Sequence, residues 1–313
     1  MRGKKITMTK DVVIVLYNAD TPTGNGHRSC PKTRNIKKWK GKNNMACRKI
    51  YQAENAVYEP AAKTEASDSQ KAAPNFEKRL FFGVDSGFCS DDLLQNNISH
   101  FEWVVRNKLY PNFVGRNMTG ENSLTKAEIE FLRSMGCKIA PVYRTNEEKR
   151  TEEQGKMLAK KIGIAALELD IPEGTAIFLE IGEKEVCSTA FMRGLAKGLS
   201  QEGYTPGFQA NTDAKFGFDR EYSRGMQTDK EIFSQCLIWS VSPSLDEYSN
   251  MTTTHLIYPD YWIPFAPSGI HRDDIAVWQY GTSCHPIDND AGERTVFNLD
   301  LVKNENIIIE KMF

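Results

Sequence analysis

The segment Ile171-Pro172-Glu173-Gly174-Thr175-Ala176-Ile177-Phe178-Leu179-Glu180 decides how the rest of the chain is read. Pro172 and Gly174 supply turn chemistry. Ala176 to Leu179 is an apolar run without alternation, the pattern of a strand covered on both faces. It ends on Glu180, and a carboxylate emerging from a dry strand is costly without a purpose. Upstream, residues 151–163 read as a helix opened by a Thr151/Gln154 capping box. Downstream, a helix from about Glu185 carries Phe191, Leu195 and Leu199 on one stripe and stops at Gly203. Helix, buried strand and helix joined by short connections imply parallel strands with helices outside.

The same unit recurs in both directions. Leu80-Phe81-Phe82-Gly83-Val84-Asp85 is an apolar run ending in an acid. Ser90 then reads as an N-cap, with Asp91 and Asp92 in the first turn and Leu94, Ile98, Phe101 and Val105 at helical spacing. Residues 113–116 and 138–143 read as the second and third strands. Between them lies a helix with a Thr125/Glu128 box, an Ile129, Leu132, Met135 face and a stop at Gly136. Residues 207–209, 237–239, 275–280 and 295–299 supply four more strands. Eight strands predict an α/β fold closed into a (β/α) TIM-like barrel over residues 80–313. The last two strands have no helix between them, so the barrel is irregular there. The aromatic, Pro-rich segment 242–272 reads as an insertion over one rim.

Residues 1–79 are a different physical object. The chain has 313 residues and a net charge of −1, but residues 1–79 carry 17 Lys+Arg against 7 Asp+Glu. The remaining 234 carry 23 basic and 34 acidic residues. Residues 11–18 read as one short strand. Residues 53–74 offer little to bury and read as a partly disordered linker. The basic run Lys37, Lys38, Lys40 and Lys42 suits contact with an anionic polymer, or a solvated arm. No apolar run approaches the roughly 18 residues of a membrane span. The 12–17 run is shorter than the roughly 7–15 residues of a signal-peptide core. A cytoplasmic protein is therefore expected, in which the seven scattered cysteines are free thiols and the sequons at Asn97, Asn117 and Asn250 are chance matches.

In such a barrel, function gathers where strands end. The residues there are Asp85, Arg116, Tyr143, Glu180, Asn211, Trp239, Gln279, Tyr280, Asn298 and Asp300. Two carboxylates flanking one bond are what glycoside hydrolysis requires. Glu180 is the candidate acid, with Asp85 or Asp300 as the second carboxylate. Trp239 and Tyr280 are candidates to stack on sugar faces, and Arg116, Tyr143, Asn211 and Gln279 to bind polar groups. No cofactor or metal is expected. Gly24-Asn25-Gly26 lacks the third glycine of a dinucleotide loop, and Cys284-His285 has no partner pair at metal-ligand spacing.

Taken in order, Gly83-Val84-Asp85, residues 113–116, 136–143, 171–180, 203–207, Leu237-Ile238-Trp239, Val277-Trp278-Gln279-Tyr280 and Val296-Phe297-Asn298-Leu299-Asp300 resemble the glycoside-hydrolase-like barrel domains. That domain-of-unknown-function family is distantly related to the lysozyme-type glycoside hydrolase family twenty-five. The resemblance implies a TIM-like barrel and bacterial cell-wall glycan, such as peptidoglycan, as the relatives' substrate class. Asp85 matches the acid ending the first strand, and Glu180 the first acid of an Asp-x-Glu pair. Two positions depart from that pattern. The second acid falls on Gly182, and Glu183 replaces it only if the chain bends after Ile181. The closing Asp-Leu-Asn reads Asn298-Leu299-Asp300, its polar ends exchanged. The functional expectation is two-carboxylate hydrolysis of a cell-wall-type glycan; the alternative is a catalytically inactive glycan-binding barrel.

Overall fold

The computed structural model describes residues 80–94, 97–106, 110–245, 259, 261–284 and 297–313. The basic leader 1–79, with its 11–18 strand and 53–74 linker, lies outside the described residues, as do Cys30, Cys47 and His285. Eight strands close into a barrel in chain order: β1 Phe81–Ser86, β2 Phe113–Asn117, β3 Lys138–Tyr143, β4 Ala176–Ile181, β5 Thr205–Ala210, β6 Leu237–Leu245, β7 Val277–Cys284 and β8 Phe297–Val302. Helices α1 His100–Arg106, α2 Lys126–Ser134, α3 Glu152–Glu168, α4 Thr189–Gln201, α5 Gly217–Thr228, α6 Lys230–Phe233 and α7 Glu305–Lys311 complete the chain order. No helix among the described residues is long and apolar enough to cross a membrane.

Burial explains the apolar strand pattern. Ala176, Ile177, Phe178 and Leu179 of β4 are wholly buried, alternate residues facing the barrel interior and the helices. Phe113, Phe178 and Trp239 plug the interior. The Trp239 ring stands edge-on to Phe113 at 6.3 Å and to Phe178 at 5.3 Å between centroids. Glycines make room for them. A Cβ at Gly83 would lie 2.2 Å from the Phe113 ring, and one at Gly115 would lie 2.6 Å from both Asp85 Cβ and Trp239 Cη2.

Local capping follows the sequence in part. Thr151 and Gln154 form both halves of a capping box at α3. Thr125 caps the Glu128 amide, but the Glu128 carboxylate turns away to Arg116 and the Ser90 amide. Ser90 begins no helix. Residues 87–94 form turns and a bridge joins Leu93 to Ser99, and α1 starts nine residues later than expected with Ser99 Oγ accepting from the Glu102 amide. The loop folds this way because Ser90 is held by Glu128 and Leu94 is paired to Ile98 through the backbone.

One strand departs from the parallel expectation. Strands β1 to β7 run parallel to their neighbours, while β8 is antiparallel to both β7 and β1. The reversal brings the N-terminal end of β8 to the rim where the other strands end. Asn298 pairs in register with Asp85, and Asp300 with Gly83, one layer deeper.

The described part of the 242–272 insertion is tied to the outer side of that rim. The Phe265 carbonyl accepts from Thr212 Oγ1 and Ser240 Oγ, and the Ser268 amide donates to Asp219 on α5. Residues 246–258 and 260 lie outside the described residues.

Candidate active site

Strand ends and strand parity build the site. A cleft of about 240 Å³ opens at the C-terminal ends of β1 to β7. Side chains alternate along a strand, so only every second residue faces the barrel axis. Gly115 and Asn117 of β2, Val142 of β3 and Arg144 just beyond it, Glu180 of β4, and Gln279 of β7 have that parity and line the cleft. Asp85, Gln209, Asn211 and Asn298 join them.

Parity also corrects three expectations. Arg116, Tyr143 and Tyr280 lie one residue out of step and face the helix layer. Arg116 is wholly buried there, its Nε 2.6 Å from Glu128 Oε1 and its Nη2 3.1 Å from Oε2. Nη1 and Nη2 also donate to the Ser86 and Asn122 carbonyls, both at 2.8 Å. Arg116 therefore fixes the loop after β1 and does not line the cleft. Tyr280 packs against Trp278 at 5.9 Å, and Trp278 against Trp262 at 5.8 Å. Trp239 has the right parity but lies one layer too deep, wholly buried beneath the cleft. Its ring has no face open to a sugar, so the stacking role expected of Trp239 and Tyr280 is not met.

The acids occupy distinct settings. Asp85, next to last in β1, is half-buried on the cleft floor, and its Oδ2 is shut off from solvent. Its Oδ1 accepts from Asn298 Nδ2 at 2.7 Å. The Asn298 amide is oriented by Ser283, whose left-handed backbone (φ 52°) aims its N–H at Asn298 Oδ1 at 3.0 Å. Burial pushes the Asp85 carboxyl up to about 6, and the neighbouring Glu180 charge adds to the rise. The Asn298 and Asp300 hydrogen bonds and Arg144 oppose it. Glu180 is partly exposed and ion-paired, with Arg144 Nε 2.6 Å from its Oε2. Asp300 is wholly buried below Asp85 and does not line the cleft. Its Oδ1 accepts from Trp239 Nε1 at 2.9 Å.

Position 182 settles where Glu183 goes. β4 ends at Ile181, and the chain turns there: the Glu185 amide bonds the Gly182 carbonyl, and the Gly182 amide bonds Glu185 Oε2. Lys149, buried, holds Glu185 at 2.9 Å. The turn brings Glu183 onto the cleft wall, where Asn211 Nδ2 donates to its Oε1 at 2.7 Å. Gln209 and Asn117 keep cleft-facing carboxamides with no side-chain partner among the described residues, open to bond a ligand's hydroxyl or amide groups. Arg144, Asn117 and Gln209 were not singled out by sequence reasoning; strand parity counted from Glu180 and Asp85 was the signal that finds them.

Two other groups of side chains lie outside the cleft lining. Cys89, Asp91 and Glu128 are spaced to share a cation, but Glu128 is already engaged by Arg116 and the Ser90 amide. The five described cysteines are buried and unbridged, and burial pushes the Cys89 and Cys236 thiols up to about 12.

Residues 109–302 match the family described as Rv2525c-like, glycoside hydrolase-like domain. Among solved structures, an uncharacterized protein of B. stearothermophilus is 24% identical, with a TM-score of 0.59 over 74% of this chain and 100% of that one. The modular autolysin LytC of Streptococcus pneumoniae, solved with a synthetic peptidoglycan ligand, is 10% identical at a TM-score of 0.43, over 71% of this chain and 46% of that one. A family GH25 lysozyme from Aspergillus fumigatus is 13% identical at a TM-score of 0.41, over 72% of this chain and 94% of that one. No curated protein matches the sequence.

Proposed function

Since the chain belongs to the Rv2525c-like glycoside hydrolase-like domain family, we propose that its cleft takes a cell-wall-type glycan and cleaves a glycosidic bond between Asp85 and Glu180. One observation carries this reading: two carboxyls line one cleft in opposite electrostatic settings. Asp85 is raised to about 6 by burial, and Glu180 is partnered by a guanidinium. Carboxyls whose environments are pushed apart divide the acid and base roles between them. The arrangement favours Asp85 as the acid, which reverses the assignment expected from the strand pattern alone. Asp85 gives its proton to the leaving oxygen as the glycosidic bond breaks. Glu180 meets the anomeric carbon as an anion, directly or through a water that it deprotonates. Asp300 has no access to a ligand and takes neither role. Glu183, turned onto the wall beside Asn211, supplies the acid that Gly182 lacks. The free carboxamides of Asn117 and Gln209 suit the hydroxyl and acetamido groups of such a glycan.

A second reading is favoured by Gly182 and by the ion pair that engages Glu180: the cleft binds the glycan without cutting it. Reducing-end release from purified peptidoglycan and from chitin oligomers, measured beside a pull-down with the insoluble polymers, separates the two. The enzymatic reading expects release by the wild type, and binding without release by Glu180→Gln. Binding without release by both proteins leaves the binder, and neither binding nor release removes both readings.

A further inference from the structure

Asp85 on the cleft floor stands one layer above Asp300. β8 sets Asn298 level with Asp85 and Asp300 level with Gly83, which offers no side chain of its own. Each acid has one oxygen committed elsewhere: Asp85 Oδ1 to the Asn298 amide, Asp300 Oδ1 to the Trp239 indole. The two Oδ2 atoms are sealed from solvent, no described N–H or O–H group donates to either, and each carboxyl acts electrostatically on the other. A hydrogen bond between two carboxyls requires a proton on one of them. The surroundings decide which. Asp85 is faced by Arg144 from beyond β3, by Glu180 from β4 and by the Asn298 amide from β8. Among the described residues Asp300 is faced by Asp85, by the Trp239 N–H from β6 and, in register on β7, by Gln279, and no cation among them contributes at Asp300. An acid so deeply buried and without a counter-charge stays neutral.

We propose that Asp300 is a positioning residue that permanently holds one proton and donates it to Asp85 Oδ2, so that the proton Asp85 exchanges at the cleft is the second proton of a buried acid pair. This rests on the reading of Asp85 as the proton-carrying group, and it assigns to the exchanged Asn298-Leu299-Asp300 ending a role of its own. Asn298 and Asp300 grip Asp85 from above and below as two neutral donors. The proton on Asp300 replaces the positive partner that a buried carboxylate otherwise needs.

The test needs no substrate. Aspartate labelled with carbon-13 at Cγ is followed by NMR from pH 4 to 9 in the intact chain. The wild type is expected to show the Asp85 carboxyl titrating near 6, with Asp300 keeping its proton through that step. Asp300→Asn keeps a neutral N–H donor facing Asp85 and an acceptor for Trp239, so the Asp85 step is expected to stay within about half a pH unit. Asp300→Leu removes the donor, and the step is expected to rise by about one unit or more. Two outcomes overturn the proposal. One is a fall of about one unit or more in Asp300→Asn, which is the signature of an ionised Asp300. The other is a wild type in which Asp300 loses its proton before Asp85 or together with it. If Asp300→Leu does not fold, the wild type and Asp300→Asn decide. A chain that cleaves no glycan still gives either titration, so failure of the functional reading and failure of this one are told apart.

Discussion

Glu128→Gln tests whether Arg116 serves structure rather than ligand. In the native chain both side chains have no solvent exposure. The guanidinium donates twice to Glu128, once to Ser86 and once to Asn122. Glutamine fits the same space but leaves a buried cation without its counter-charge. Removing one partner of a buried pair costs about 3–5 kcal/mol. A domain of roughly 150–250 residues loses about 2–4 °C of melting temperature per kcal/mol, so the expected fall is about 6–20 °C. Thermal unfolding followed by far-ultraviolet circular dichroism measures it. The double variant Arg116→Met with Glu128→Leu removes both charges and is expected to recover most of the loss, because an apolar replacement of the whole pair is close to neutral. A melting temperature for Glu128→Gln within about 2 °C of wild type, or a double variant worse than either single change, would refute the reasoning.

Further expectations follow from the same geometry. Between pH 3.8 and about 6 the native Asp85 holds a proton that the unfolded chain has released, so stability falls as pH rises through that window. The gap of about 2 pH units corresponds to about 3 kcal/mol. Urea titrations should show a steeper decline from pH 4 to 7 for wild type than for Asp85→Asn, and equal slopes would argue against a raised carboxyl. Gly115→Ala places a methyl group 2.6 Å from Asp85 Cβ and Trp239 Cη2; a loss of about 1–3 kcal/mol is expected from overpacking, and an unchanged unfolding midpoint would contradict the packing described. Arg144→Gln breaks an ion pair whose arginine is largely exposed, so stability should change by no more than about 1 kcal/mol. Glycan turnover should fall in the same variant, and unchanged turnover would detach Arg144 from the site.

The barrel was legible because burial writes itself into strands and helices. The apolar run before Glu180 and the stripe of Phe191, Leu195 and Leu199 are read directly from sequence, and both lie in the core. The turn at Gly182 was legible as a condition, since Glu183 reaches the cleft only if the chain bends there. What escaped is long-range. Arg116 and Tyr280 are strand-end polar residues by sequence, and only the phase of alternation sends them outward. Glu128 has the spacing of a helix cap, yet a partner twelve residues earlier claims its carboxylate. The direction of β8, which places Asp300 under Asp85, depends on how the chain returns after β7, a question that local propensity does not address.

In the proposed reaction Asp85 is the group whose protonation permits cleavage. The pH dependence of the reducing-end release rate on purified peptidoglycan tests that most directly, with wild type and Asp85→Asn compared in parallel. The rate is expected to be sustained on the acid side and to fall about tenfold per unit above a pH of about 6, where Asp85 gives up its proton. Asp85→Asn should show no release at any pH while still binding the polymer. A wild-type rate that climbs through pH 6, or an Asp85→Asn protein that cleaves as fast as wild type, would contradict the account.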